Sequence, residues 1–295
     1  MVISHIVYAI LAHNHLASLE DLIDSLRVLS PGNRVVLFNG GTDKEFGENI
    51  SVDHCPYSLP LKHGKLANFH YGVMKMLENE KYNYDFLVTL DSDMLLTKPG
   101  FSEFLDHTMA DSLYMGVNLQ KIEKGTDWII GRRFLYKWPK RFKHFFEIET
   151  PYGSFNPGQV FRREYVSHFV NDPMTGALMK AVEKSKLAAL EEVIYATYAV
   201  KIQGNPICNP GSHAMVHRRH LLNEIQEYLQ DPSVYFVHKV GMDVNDPDRV
   251  FLQQIRQRKV PDIQSISEDY VKQFQPTYIQ QTLTRLKDLY IRVFV

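Results

Sequence analysis

Apolar and polar positions follow two different periods along the first half of the chain. HIVYAILAH (5–13), RVVLFNG (34–40) and DFLVTLDSD (85–93) are short β-rich runs that end in polar residues, which predicts three buried strands. Between them, LASLEDLIDSLRVL (16–29) and KLANFHYGVMKMLENE (65–80) repeat apolar residues three and four apart, which predicts two one-faced helices. This βαβαβ order implies a parallel sheet flanked by helices, with ligands beyond the carboxyl ends of its strands. His13, Asn39 and Asp91 sit at such ends. Past about residue 115 the pattern loosens into segments rich in Gly, Pro and aromatics, with helical stretches near 162–170, 175–203 and 217–230. From about 265 the chain reads as one or two amphipathic helices. With no internal repeat and no low-complexity linker, one interleaved unit over 1–265 is expected, followed by a helical tail over 266–295.

Composition narrows the class. A chain of 295 residues with 44% hydrophobic residues can bury a large core. Lys and Arg total 33 against 34 Asp and Glu, so a net charge of -1 gives no global field for nucleic acid, and any anion site is local. Cys55 and Cys208 form no CxxC pair, which argues against a zinc site and a disulfide framework and favours a reducing compartment. The first residues, MVISHIVYAILAHNH, lack a basic leader and a small-residue cleavage site, and no apolar run reaches the roughly 18 residues a membrane span needs. A cytoplasmic protein is expected, with peripheral contact at the inner face of a membrane left open.

LVTLDSDMLL (87–96) breaks an apolar run with two aspartates one residue apart. If both close a strand, Asp91 and Asp93 share a face, because strand side chains alternate. Two acceptor-only groups side by side repel unless a cation sits between them. A polar turn with one aspartate capping a helix is the plain alternative. An EF-hand is excluded, since Leu95 stands where an oxygen ligand is needed and no glycine holds the sixth position. A DxD phosphohydrolase is a weaker alternative, because that motif normally ends the first strand.

The surrounding motifs favour catalysis on a nucleotide-sugar. GKLANFHYGVMKML (64–77) resembles the "GKxxALNxG" stretch that precedes the DxD strand of family 2 glycosyltransferases, with Gly64, Lys65, Asn68 and Gly72 aligning. HIVYAILAHNHLASLEDLIDSL resembles the first strand and helix of the core-2/I-branching N-acetylglucosaminyltransferase family, "AYxILxHK" then "LxxLLxAL". GSFNPGQVFRREYV followed by LEEVIYATYA is similar to that family's "GS…SREYV…DExLWAT". Together these motifs cover roughly 200 residues and imply an α/β GT-A fold: a mixed, mostly parallel Rossmann-like sheet with flanking helices. They imply a nucleotide-sugar-binding half over 1–115 and an acceptor-binding half over 116–265. The branching enzymes lack the DxD and work without metal, and this chain departs from them there.

The resemblance implies an inverting hexosyl- or N-acetylhexosaminyltransferase with a UDP-sugar donor and Mn²⁺ or Mg²⁺ on Asp91, Asp93 and a later histidine, His238. It places Lys239 and Arg249 on the diphosphate, His13, Asn39, Lys65 and Asn68 around the donor, and the general base at Glu192, with Glu191 as the alternative. A non-catalytic nucleotide-sugar or glycan-binding module on the same fold is the competing reading.

GRRFLYKWPKRFKHFF (131–146) is locally cationic, interleaving Arg132, Arg133, Lys137, Lys140, Arg141 and Lys143 with Phe134, Tyr136, Trp138 and Phe142. Either its aromatics pack inward and its charges are simply solvated, or it forms an acceptor wall together with Trp128, Asn156 and Gln159. The second reading predicts an anionic glycan, a phosphate-bearing polymer or a lipid-linked acceptor.

Overall fold

The structure, a computed structural model, describes residues 5–257 apart from His63. The helical tail expected over 266–295 lies outside the described residues. The elements run β1 (Ile6–Ala12), α1 (Leu16–Leu29), β2 (Arg34–Asn39), β3 (Asp53–His54), α2 (Ala67–Asn79), β4 (Phe86–Asp91), β5 (Met94–Leu96), α3 (Phe101–Thr108) and β6 (Tyr114–Lys121). The second half continues through α4 (Ile129–Lys137), α5 (Pro139–Phe146), β7 (Tyr152–Arg162), α6 (Arg163–Asn171), α7 (Thr175–Glu183) and α8 (Glu191–Lys201). It closes with β8 (Ile207–Cys208), α9 (Leu222–Gln230), β9 (Phe236–His238) and α10 (Pro247–Arg256).

Seven strands form one mixed sheet in the order β3-β2-β1-β4-β7-β6-β8, in which β7 alone opposes its neighbours. The fold is α/β, as the strand and helix periods predict. β1 is an interior strand, wholly buried, and its alternating side chains supply two cores. Ile6, Tyr8 and Ile10 pack with Leu19, Leu22, Ile23 and Leu26 of α1, whereas Val7, Ala9 and Leu11 join a core built on α2 and α8. In α8, Glu191 through Ala199 are all buried, so this helix runs inside the protein with its polar first turn included.

Two expectations change. The helical stretch over 175–203 is two helices, α7 and α8, parted by 184–190. The loose segment GSFNPGQVF belongs to β7, an eleven-residue strand. Pro157 and Gly158, with φ +77° at the glycine, hide it from a propensity reading. They fall where β6 and β7 are out of regular register, between the pairs Val117–Phe155 and Met115–Val160, so no ladder bond is missed.

A separate two-stranded sheet pairs β5 with β9 in antiparallel fashion and sets Met94 opposite His238. This pairing carries a distant histidine to the DSD turn. Among the described residues no helix is long and apolar enough to cross a membrane, and both cysteines are free.

Candidate functional site

Asp91 is the last residue of β4, and Ser92 and Asp93 form a turn before β5 begins at Met94. The aspartates therefore do not share one strand face. The turn folds Asp93 back instead, and β9 brings His238 against it, with the His238 ring Nε2 3.4 Å from Asp93 Oδ1. Lys239 Nζ lies 3.5 Å from the other Asp93 oxygen, and the Val240 N–H donates to the Asp93 carbonyl at 2.9 Å. Asp91, Asp93 and His238 each offer a ligand atom, all within 4.8 Å of one another. Asp91 Oδ1 and His238 Nδ1 are buried without a hydrogen-bond partner, which is costly unless a ligand satisfies them. Two carboxylates and an imidazole with unspent lone pairs fit a hard divalent ion such as Mg²⁺ or Mn²⁺.

Two more carboxylates approach from α8. The backbone N–H groups of Leu66 and of Glu191 itself act on the Glu191 carboxylate and that of Asn156 in β7 acts on Glu192, each opposing the rise that burial causes, while Glu191 Oε2 is buried without a hydrogen-bond partner. Burial raises Glu191 to about 7 and Glu192 to about 8, the latter helped by the charge of Glu191, and both feel Asp91. Burial, then the Asp93 charge, lifts Asp91 to about 7. Burial alone would raise Asp93 as well, but the hydrogen bond and charge of His238, joined by Lys239, hold it below the usual range. The site thus contains one firmly ionised acid and three that keep protons near neutrality, the range in which a base can both accept and release a proton.

The three raised acids bind protons more tightly in the folded chain than in the unfolded one, where carboxyls titrate near 4. Folding takes up protons between about pH 4 and pH 8, so stability contributed by the neutral acids is lost as pH rises through that window. The melting temperature is expected to fall from pH 5 to pH 8, by on the order of a few kcal/mol in stability. Millimolar Mn²⁺ should recover part of the loss at pH 8. A calorimetric melting curve flat across that range would contradict this electrostatic picture.

The donor candidates separate. Lys65 and Asn68 line a cavity of about 310 Å³ together with Glu191, Leu61 and Leu187, and Lys65 donates to the Ser185 carbonyl at 2.7 Å. The Leu61 N–H bonds the Gly40 carbonyl, which ties this cavity to the loop after β2. His13, exposed beyond β1, packs against that loop at Gly41. Asn39 is spent locally, donating to the Asp43 carbonyl and accepting from the Gly41 N–H, so it shapes the turn.

Arg249 is corrected outright. It is 1% exposed, and its guanidinium donates to Asp21, Gly241 and Ser92, with the Ser92 carbonyl 2.9 Å away inside the DSD turn. Buried among these acceptors and the Ser18 carbonyl, the guanidinium does not point out toward a diphosphate; the residue braces α10, α1 and the DSD turn. Arg249→Met would leave the nearly buried Asp21 carboxylate to Arg256 and remove the bonds to three backbone carbonyls, at a cost of about 3 kcal/mol by urea unfolding. Full stability with weakened nucleotide binding would restore the diphosphate role.

The acceptor candidates separate as well. In α4 and α5, Phe134, Trp138, Phe142 and Phe146 are buried, while Arg132, Arg133, Lys137, Lys140, Arg141 and Lys143 are exposed. These aromatics build core and offer no sugar platform; Tyr136, 84% exposed, faces water, as does the His144 imidazole. Asn156 and Gln159 are buried and do not line a pocket with Trp128. The Thr89 hydroxyl, on the face of β4 that also carries Asp91, donates to the Gln159 carbonyl at 3.3 Å, and neither end of the Gln159 amide has a partner. Trp128 instead lines a second cavity with Phe155, which sits in the GSFNPGQVF motif without being singled out by it, and His217, for which the sequence carried no motif.

No protein-family model matches the chain, and no curated protein matches it. Two solved structures of the galactosyltransferase LgtC, one in complex with donor and acceptor sugar analogs and one an active-site mutant, align over 88% of this chain and 99% of theirs. Identities are 12% and 13% and the TM-score is 0.45, a likeness that supports no inference about function.

Proposed function

We propose that the chain is a metal-assisted glycosyltransferase of the GT-A type, transferring a sugar from a UDP-linked donor to an acceptor hydroxyl with inversion. One observation carries the reading: an Asp-Asp-His cluster and a pair of high-pKa glutamates converge at the carboxyl end of β4. Asp91, Asp93 and His238 would hold Mg²⁺ or Mn²⁺, which supplies positive charge beside the departing diphosphate. Lys239 adds a cation at the same place. As the acceptor oxygen bonds to the anomeric carbon and the bond to the diphosphate oxygen breaks, Glu192 takes the acceptor proton. The nearby Asn156 N–H favours the ionised form of that carboxylate. Residues 1–115 serve the donor and 116–265 the acceptor; the sugar is a hexose or an N-acetylhexosamine, and a reducing, cytoplasmic setting suits the free thiols.

The test is incubation with UDP-sugars and Mn²⁺ while nucleoside diphosphate release is followed. Slow donor hydrolysis is expected. Hydrolysis of a simple phosphomonoester would replace this reading with a phosphohydrolase, and saturable binding without any turnover would leave a non-catalytic module.

A further inference from the structure

The second cavity, about 250 Å³, lies between β6, β7 and the segment after Ser212–Ala214, and Asn118, Gln120, Trp128, Phe155, Met215 and His217 line it. We propose that it seats the acceptor as an uncharged sugar ring; this rests on the glycosyltransferase reading and names the substrate class of that site.

No Asp, Glu, Lys or Arg lines the cavity. Side-chain amides from Asn118 and Gln120 offer both donors and acceptors, which is what ring hydroxyls require, whereas a carboxylate or phosphate calls for guanidinium or ammonium partners. Arg132 and Arg133 are exposed on α4 and do not line it, so the anionic acceptor expected from the cationic segment has no counterpart here.

The apolar wall is built around one indole. A Cβ on Gly153 would collide with the Trp128 ring, and one on Gly131 would come within 3.0 Å of it, so two glycines clear the space the indole occupies. Trp128 is half-buried, and its ring N–H has no protein partner among the described residues. The chain's other tryptophan, Trp138, is buried and donates to Ser185 Oγ at 3.1 Å. A large apolar face with a few convergent polar groups is how concave sites hold small polar ligands.

Position links the cavity to the chemistry. The Phe155 ring lies 5.5 Å from the His238 ring and 4.2 Å from that of His217, and the backbone N–H of the next residue, Asn156, acts on the Glu192 carboxylate. One strand thus separates the cavity from the base, and one ring separates it from the metal cluster.

Trp138→Phe leaves Trp128 as the sole tryptophan, and its emission can be titrated with galactose, glucose, N-acetylglucosamine, lactose and glucuronate. A saturable change with at least one neutral sugar is expected, with glucuronate silent and affinity falling at least 10-fold in the Asn118→Ala, Gln120→Ala double variant. If Trp138→Phe does not fold, the unsubstituted chain serves, and Trp128→Phe should abolish the change. Stronger binding of glucuronate than of every neutral sugar, or no saturable signal across the panel, overturns the proposal. Neutral-sugar binding without turnover of any UDP-sugar would keep the site and discard the glycosyltransferase reading.

Discussion

Glu192→Gln is expected to lose glycosyl transfer by about 10²- to 10⁴-fold while UDP affinity with Mn²⁺ stays unchanged. The amide keeps the volume of the carboxyl and an acceptor oxygen, but it cannot take the acceptor proton. Burial and the neighbouring Glu191 place Glu192 at about 8, so its basic form grows as pH rises toward that value, and transfer should climb over the same range. A capping role alone would predict the reverse pattern: tenths of a kcal/mol to about one lost in stability and little in rate. Replacing a buried acid by its neutral isostere should instead raise the melting temperature above pH 7. Glu191→Gln separates the pair, because Glu191 lines the cavity of Lys65 and Asn68; its loss should weaken donor binding more than the chemical step. Full turnover in Glu192→Gln, or a product of retained configuration, would remove Glu192 as the base of an inverting reaction.

The parts of this site legible in the sequence are those that local pattern determines. β1, β2 and β4 declare themselves because each enters a core as an apolar run and ends in a polar residue, and α1 and α2 because each buries one face. The end of β4 therefore points to Asp91 and Asp93 before any coordinates. What pattern cannot supply is partnership across long separations. Asp93 meets His238 only because β5 pairs with β9, and three-residue strands carry too few side chains to announce a partner. The sequence places Arg249 on the diphosphate because nothing local announces its four acceptors, at Ser18, Asp21, Ser92 and Gly241, three of which come from distant segments. The cationic segment misled for the opposite reason: its aromatics recur at helical spacing, and spacing shows that one face is buried without saying whether protein or ligand covers it.

Asp93→Ala should abolish the Mn²⁺-dependent part of UDP binding, a loss of more than about 100-fold by titration calorimetry, exceeding that from His238→Ala. Of the clustered acids, Asp93 is the one whose proton is held weakly, so at neutral pH it is the standing negative charge of the site. Asp91, at about 7, must release its proton to bind a cation, and metal affinity in the native chain should therefore rise with pH through that value. Removing the Asp93 carboxylate deprives Lys239 and His238 of their neighbouring anion and leaves them facing the incoming cation unopposed. Loss of its charge also relieves the repulsion on Asp91, which should then ionise at lower pH, so the residual metal affinity of the variant should depend less on pH between 6 and 8. A structural aspartate would show neither effect: Mn²⁺-dependent affinity and its pH slope would both survive the substitution, and the Asp-Asp-His cluster would have to be read as a polar turn.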